Sequence, residues 1–395
     1  MLTRLRIQNF KCLRDVTLEL GRLTVLIGPN DSGKSSLLDA LHLLGRSTHE
    51  GIAAIFRGPL AVENLLWQRD KSLPLRWEVT TFDGRQDVTY LLELRADASS
   101  REELKVGGDV WLSERMSFDD QGPRAFTVRV PGGASYAVHR LGVTTALASL
   151  AANRNEQIAD AVGPLVASLR SLGRHHLSTD ALRATSVPEP GDVLSPSGDN
   201  LAAVVDAILG GPDRDVRAQF EDELHAVIPT LKGVSTPPAA AGDKPGAKEV
   251  HFVLAGANGK RAVTIPGALA SDGAMLVTAF LALAHGPTPD LLLIEEPENG
   301  LHPARVGQIM GLLRRMSEGE VGEQRRQILM TTHNPLFLNQ ARPEEVRIVQ
   351  RRPDSGTHVT PLERVVNIDD MLKDFGIGEL WNLLGEDALV RGEAP

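Results

Sequence analysis

The chain has 395 residues, with 42 Lys and Arg against 51 Asp and Glu, for a formal net charge of −9. With 42% apolar and 24% charged residues it is too apolar for a disordered chain, and its acidic balance excludes a protein that coats nucleic acid by bulk charge. Its one cysteine, Cys12, excludes an internal disulfide and a thiolate-built zinc site.

Aromatics are 4% of the chain, so its core must be aliphatic. At roughly 150 residues per domain the length suggests two or three structural units. No run approaches the roughly 20 apolar residues of a membrane span. Charges interleave the first ten residues, so we expect no signal-peptide core. These features lead us to expect a cytoplasmic protein with no membrane partner.

In chain order, residues 2–10 and 15–20 alternate as half-buried strands do, and 23–27 is an unbroken apolar run, as in a strand buried on both faces. A glycine-rich turn follows, then Leu37, Leu38, Leu41 and Leu44 at helical spacing. Residues 75–82 and 88–94 read as a hairpin across Asp83–Gly84, and 124–130 and 135–141 as another across Pro131–Gly133. From 142 to about 230 the pattern turns helical, in runs at 142–172, 200–209 and 213–228, with proline and glycine interrupting at 187–198. Residues 235–247 form a loop of low complexity. A hairpin around Asn258–Gly259 precedes helix 273–285, strand 291–295, helix 302–316, strand 327–331 and strand 345–350. This predicts three parts: an N-terminal lobe (1–141), a helical insert (142–248) and a C-terminal lobe (249–395).

Gly28, Pro29, Asn30, Asp31, Ser32, Gly33, Lys34 and Ser35 spell G-x-x-x-x-G-K-S/T between a buried strand and a helix. Glycines let the backbone wrap a phosphate, and the helix N-terminus adds positive potential. Lys34 would reach the β- and γ-phosphates and Ser35 would ligate Mg²⁺. Ser36 continues the cradle. The motif implies ATP and Mg²⁺ as cofactors.

Residues 291–298 bring a four-residue aliphatic strand to Glu295, Glu296, Pro297 and Glu298. Ligands of parallel sheets bind at that end of a strand. Neighbouring strand positions face opposite ways, so Glu295 and Glu296 must play different roles. One holds the metal's hydration shell, and the other orients or deprotonates water. Glu298 reads as a solvated turn residue capping the next helix. His333, after strand 327–331 and before Asn334–Pro335, would contact the γ-phosphate.

Together these motifs resemble the ABC-type ATPase heads of the SMC, RecF and OLD families, and most closely the short OLD-like ATPases of defence loci. The opening IQNFKCLRDVTLELGRLTVLIGPNDSGKSSLLDAL carries the likeness, as do LLLIEEPENGLHP, QILMTTHNPLFL and the closing FGIGELWNLLG. The resemblance implies an α/β fold: a P-loop ATPase head with an antiparallel β lobe and a helical insert. It implies that Glu295 is the Walker-B acid, Glu296 the catalytic glutamate and His333 the switch histidine. Asn299 to His302 take the D-loop position. Ser271–Gly273 take the place of the signature that meets the γ-phosphate of a second copy; from the residues alone Ser271 is equally a helix N-cap. Lys11 matches a basic position near the nucleotide, and is otherwise a strand-end charge. Asp31 stands where SMC-type loops usually have glycine, and Ala274 and Met275 depart from the polar residues after the signature. Gln68 and Gln86 are both candidates for the Q-loop glutamine.

The wide spacing between Lys34 and Ser271 does not fit a transporter ATPase, and sustained heptads for long SMC arms are missing. After His333 we expect the head to be completed without a nuclease domain; Asp369–Asp370 read as the first turn of a helix. Arg314–Arg315, Arg325–Arg326 and Arg351–Arg352 are candidate DNA contacts, and Arg174–His176 is a weak metal or phosphate signal. The resemblance implies an ATP-dependent homodimer regulating a separately encoded effector in anti-phage defence; the alternative is a RecF-like ATPase that binds DNA directly.

Overall fold

The alternating N-terminus forms two antiparallel strands, β1 (Leu2–Phe10) and β2 (Leu13–Glu19), with Leu5 opposite Leu18 and Ile7 opposite Val16. Their apolar faces are buried, as period-two patterning requires. β3 (Leu23–Ile27) is buried at every position. α1 (Lys34–Arg46) follows and buries Leu37, Leu38, Leu41 and Leu44. After two short helices, α2 (Ile52–Ile55) and α3 (Val62–Leu65), come β4 (Leu75–Phe82), β5 (Asp87–Leu94), β6 (Ser99–Val106) and β7 (Asp109–Ser117). They complete a six-stranded antiparallel sheet in the order β2-β1-β4-β5-β6-β7. β6 and β7 extend the lobe beyond the two expected hairpins. Two of the buried positions of β6 are Ser100 and Glu102, so its alternation carries little hydrophobic signal. Glu102 is satisfied there, accepting from the Tyr90 hydroxyl at 2.6 Å and from the Ala146 N–H at 2.7 Å.

β8 (Ala125–Arg129) and β9 (Ser135–His139) pair as a separate two-stranded sheet. The expected helical run is two helices, α4 (Ala146–Ala151) and α5 (Glu156–Arg170). Asn155 starts α5 by accepting from the Ile158 N–H at 3.2 Å. The helical run then ends at β10 (Leu172–His175), a strand to which the sequence pattern assigned nothing.

α6 (Leu201–Gly210) and α7 (Arg214–Val227) restore helix, and Asp213 caps the second. β11 (Leu231–Ser235), β12 (His251–Leu254) and β13 (Val263–Pro266) form an antiparallel sheet. α8 (Asp272–His285) is buried along Ala274–Ala284. β14 (Leu291–Glu295) pairs in parallel with β15 (Gln327–Thr332), and α9 (Pro303–Glu318) connects them. α10 (Pro335–Leu338) follows β15. β16 (Val346–Arg352) runs parallel to β3 and antiparallel to β17 (Gly356–Pro361). α11 (Ile368–Asp374) and α12 (Ile377–Arg391) end the fold, with Gly385 interrupting α12 in a left-handed conformation. Asp369 and Asp370 occupy the first turn of α11, as expected.

This computed structural model describes residues 1–82, 84–117, 125–130, 133–139, 145–153, 155–239, 244–254, 262–322 and 325–392, with Glu386 by its backbone. Asp83, Pro131, Gly132, Asn258 and Gly259 of the expected turns lie outside them. The chain divides into two units. Met1–Leu172, Pro343–Lys373 and the stretch from Leu384 form the first; Gly173–Arg342 and Asp374–Leu383 form the second. The first holds β3, β16 and β17; the second holds β10, β14 and β15, in that order. Among the described residues no helix is long and apolar enough to cross a membrane.

Candidate functional site

The phosphate loop belongs to the first unit. A Cβ at Gly28 would overlap the Val349 carbonyl on β16, so only glycine lets the two backbones close. Asp31 (φ 64°) and Gly33 (φ 110°) are both left-handed. A Cβ at Gly33 would overlap the Thr357 hydroxyl on β17 and stand 3.0 Å from Cys12 Sγ. The loop is tied from outside: Thr357 Oγ1 donates to the Ser32 carbonyl at 2.8 Å, and Cys12 Sγ to Ser36 Oγ at 3.3 Å. It delivers the chain into α1, whose first N–H groups have no intrahelical acceptor.

Lys34 is buried, and its Nζ donates to the carbonyls of Gly28 and Pro29 at 2.7 and 2.8 Å. Ser32 Oγ is buried with no hydrogen-bond partner among the described residues, and it lies 2.8 Å from the place of a Gly28 Cβ. Such a hydroxyl is costly unless something satisfies it. A phosphate oxygen would do so. Kinked loop, ammonium, unsatisfied hydroxyl and helix N-terminus together fit a polyphosphate. Asn30 and Asp31 are exposed on the loop, and Ser35 lies in the first turn of α1.

Lys11 follows β1 with φ 49° and pairs with Asp39 on α1 at 2.5 Å. Gln68 sits in a single turn, Trp67–Arg69, at φ 49°. Gln86 packs its amide at Gly107, in the turn between β6 and β7.

The second unit gathers the acidic residues. Glu295 ends β14, and its Oε1 accepts from Arg174 of β10 at 2.8 Å through Nε and 2.5 Å through a terminal nitrogen. The unexpected strand β10 thus supplies a cation to the expected metal acid. Oxygen donors such as Ser35 and Glu295 are of the kind Mg²⁺ takes. Glu296 turns off the strand at φ 45°, a rare conformation for a residue with a side chain. Its N–H donates to the Thr331 carbonyl at 3.0 Å. Its Oε1 is 3.2 Å from His333 Nδ1, and its Oε2 accepts from Asn299 Nδ2 at 2.7 Å. Glu296 and His333 therefore meet directly.

Glu298 corrects the expectation of a solvated cap. It is 6% exposed and accepts from the Thr332 hydroxyl at 2.5 Å and from the His333 N–H at 3.3 Å. Burial pushes its carboxyl above the usual range, against the lowering effect of the Thr332 hydrogen bond.

Ser271 is an N-cap here, its Oγ accepting from the Ala274 N–H at 3.3 Å. Arg183 holds that helix start: it donates to the carbonyls of Thr179 and Ala270 at 2.7 and 2.9 Å and to Asp272 at 2.7 Å. Ser271 and Gly273 share a cleft of about 970 Å³ with Gly300, Leu301, His302 and Arg305. A Cβ on Gly273 would meet nothing within 4 Å, so that glycine faces open space.

The Arg174–His176 signal resolves differently from a metal site. No cluster of ligating side chains occurs among the described residues. His175 is buried, its Nδ1 is 3.3 Å from the Ser195 carbonyl, and burial lowers its pKa from 6.5 to about 4. Of the arginine pairs, Arg315 binds Glu223 and Arg326 binds Asp290, Arg314 donates to the Gln340 carbonyl, and Arg351 and Arg352 are exposed.

This fold and phosphate loop define an ABC-type P-loop ATPase head of the SMC and OLD kind. Residues 23–339 match the family described as "AAA domain, putative AbiEii toxin, Type IV TA system", and the chain belongs to that family. An OLD nuclease of Thermus scotoductus is 23% identical over 409 aligned positions, covering 100% of this chain and 71% of the relative. Two solved SMC heads share the fold. One, bound to the C-winged helix domain of ScpA, has a TM-score of 0.54 at 14% identity, over 91% of this chain and 97% of that one. The other, from Pyrococcus furiosus with an extended coiled coil and bound to the C-terminal domain of ScpA, has a TM-score of 0.50 at 13% identity, over 94% and 99%.

Proposed function

We propose that the chain binds and hydrolyses ATP with Mg²⁺, and that ATP draws two copies together head to head. The observation that carries this reading is the phosphate loop, with its left-handed Gly33, buried Lys34 and unsatisfied Ser32 hydroxyl. In this reading Gly28 to Ser36 cradle the phosphates of one nucleotide, and Lys11 lies beside it. Ser35 and Glu295 are the residues that would hold Mg²⁺, and the ion would supply charge neutralisation for the phosphates. Glu296 takes the proton of the attacking water. Asn299 and His333 each contact one carboxylate oxygen of Glu296 and so fix its direction. With Nδ1 turned to Glu296, His333 has Nε2 for the γ-phosphate. Ser271 and Gly273 meet the γ-phosphate held by the second copy, since a capped helix start beside an open cleft suits an anion.

We further propose a cytoplasmic protein that senses or regulates a separately encoded effector in anti-phage defence. Its resemblance to OLD-like ATPases supports this role. The alternative, a RecF-like ATPase on DNA, draws on the exposed Arg351–Arg352 pair. Glu296→Gln should accumulate as an ATP-bound dimer, seen by light scattering with Mg²⁺ and ATP, and Lys34→Ala should stay monomeric and bind no nucleotide. Parental hydrolysis by Glu296→Gln would reject Glu296 as the base.

A further inference from the structure

Glu298 lies two residues beyond Glu296, yet its contacts go to the segment that carries His333. Its Oε1 accepts from the His333 N–H and from the Thr332 hydroxyl. That hydroxyl in turn accepts from the Asn334 N–H at 3.0 Å. One carboxyl oxygen therefore holds the His333 N–H directly and, through the Thr332 hydroxyl, the Asn334 N–H. The imidazole itself is half exposed, with 48% of the side chain accessible, so packing does not fix it. Its direction toward Glu296 must come from the backbone that carries it.

Nothing about filling space calls for a carboxyl at this place. An apolar side chain of similar length would occupy it without the cost of burying a polar group. Oε2 is buried and has no hydrogen-bond partner among the described residues. An ionised carboxylate would be poorly supported in such surroundings, and burial shifts this group toward its neutral acid. A neutral acid still offers Oε1 as an acceptor to both donors.

We propose that Glu298 is a positioning residue for ATP hydrolysis, one that clamps the backbone around His333 so that the imidazole stands against Glu296. This rests on the ATPase reading above. It separates Glu298 from the chemistry: the residue touches neither the water nor the nucleotide, and it acts through His333.

The test compares Glu298→Ala with Glu298→Gln in the full chain, and Thr332→Val with Thr332→Ser. Loss of the clamp should lower kcat of Glu298→Ala by about tenfold or more while KM for ATP stays within about twofold, because misplacement affects the transition state more than binding. Glu298→Gln keeps a neutral acceptor and should retain kcat within about threefold. Thr332→Val should lose activity and Thr332→Ser regain it, which keeps the test open should Glu298→Ala fail to fold. The second readout is the His333 ring proton resonance by NMR, assigned through its loss in His333→Gln. It should shift in Glu298→Ala and Thr332→Val and stay in place in Glu298→Gln and Thr332→Ser. An unmoved resonance with parental kcat in Glu298→Ala overturns the proposal, as does equal impairment of folded Glu298→Gln. A parent without ATPase activity would refute the functional reading, while the resonance would still report on the clamp.

Discussion

His175 is a base held neutral by burial, and this makes stability depend on pH. Its folded pKa is depressed to about 4 from 6.5, so below pH 6.5 the unfolded chain takes up a proton that the folded chain refuses. Stability from this site is full above about pH 6.5 and falls as pH drops toward 4, by about 3 kcal/mol in total. Urea unfolding midpoints should drop over that window, and the drop should shrink in His175→Asn. Glu298 carries the opposite sign. Its folded pKa is raised, so its contribution is full below the ordinary carboxylate pKa and is lost as pH rises through the folded value. Residues whose chemistry is local were legible in the sequence: Lys34 acts within its own loop, on the Gly28 and Pro29 carbonyls. Arg174, Arg183 and Glu298 were not assigned their contacts, because their partners lie 121, 89 and 34 residues away.

The start of α8 shows what an element can hide. Sequence alone allowed Ser271 as a cap or as an anion contact, and the structure shows the cap. Capping one N–H leaves other first-turn donors available. Gly273 has open space where a side chain would go, so neither packing nor backbone conformation in the single chain demands glycine there. Gly273→Arg should therefore keep its unfolding free energy within roughly 0.5 kcal/mol of the parent, the range of ordinary surface changes. It should lose ATP-dependent association with the Glu296→Gln partner, measured by light scattering. An intact dimer from Gly273→Arg would remove the signature role. Among the strands, β3 and β14 were plain from their apolar runs. β10 was not, since four residues reading Leu-Gly-Arg-His carry no period and their strand form depends on a neighbour in the sheet. β6 escaped for a related reason: the cost of its buried polar positions is offset by hydrogen bonds that only the fold supplies.

At the scale of the whole molecule, the net charge of −9 bears on the choice of partner. A strongly acidic protein gains little from the counterion release that drives nucleic-acid binding, and Arg315 and Arg326 are already engaged by Glu223 and Asp290. We expect duplex DNA to leave ATPase activity unchanged at about 150 mM salt, near physiological ionic strength. We expect the product of a neighbouring gene to co-purify in an ATP-dependent way. Salt-sensitive DNA binding that stimulates turnover and is lost in Arg351→Ala/Arg352→Ala would favour the DNA reading instead.

The sequence by itself determined the phosphate loop, the acidic end of β14 and the class of ATPase, because each is a short run whose chemistry follows from adjacent residues. Tertiary structure decided which groups surround those runs. Arg174 on Glu295, His333 and Asn299 on Glu296, and Glu298 beneath His333 are contacts that the fold assembles. Burial turned Glu298 from an expected surface acid into a desolvated one, with its carboxyl pushed toward the neutral form. A side chain's solvation depends on everything folded over it, and no local pattern encodes that.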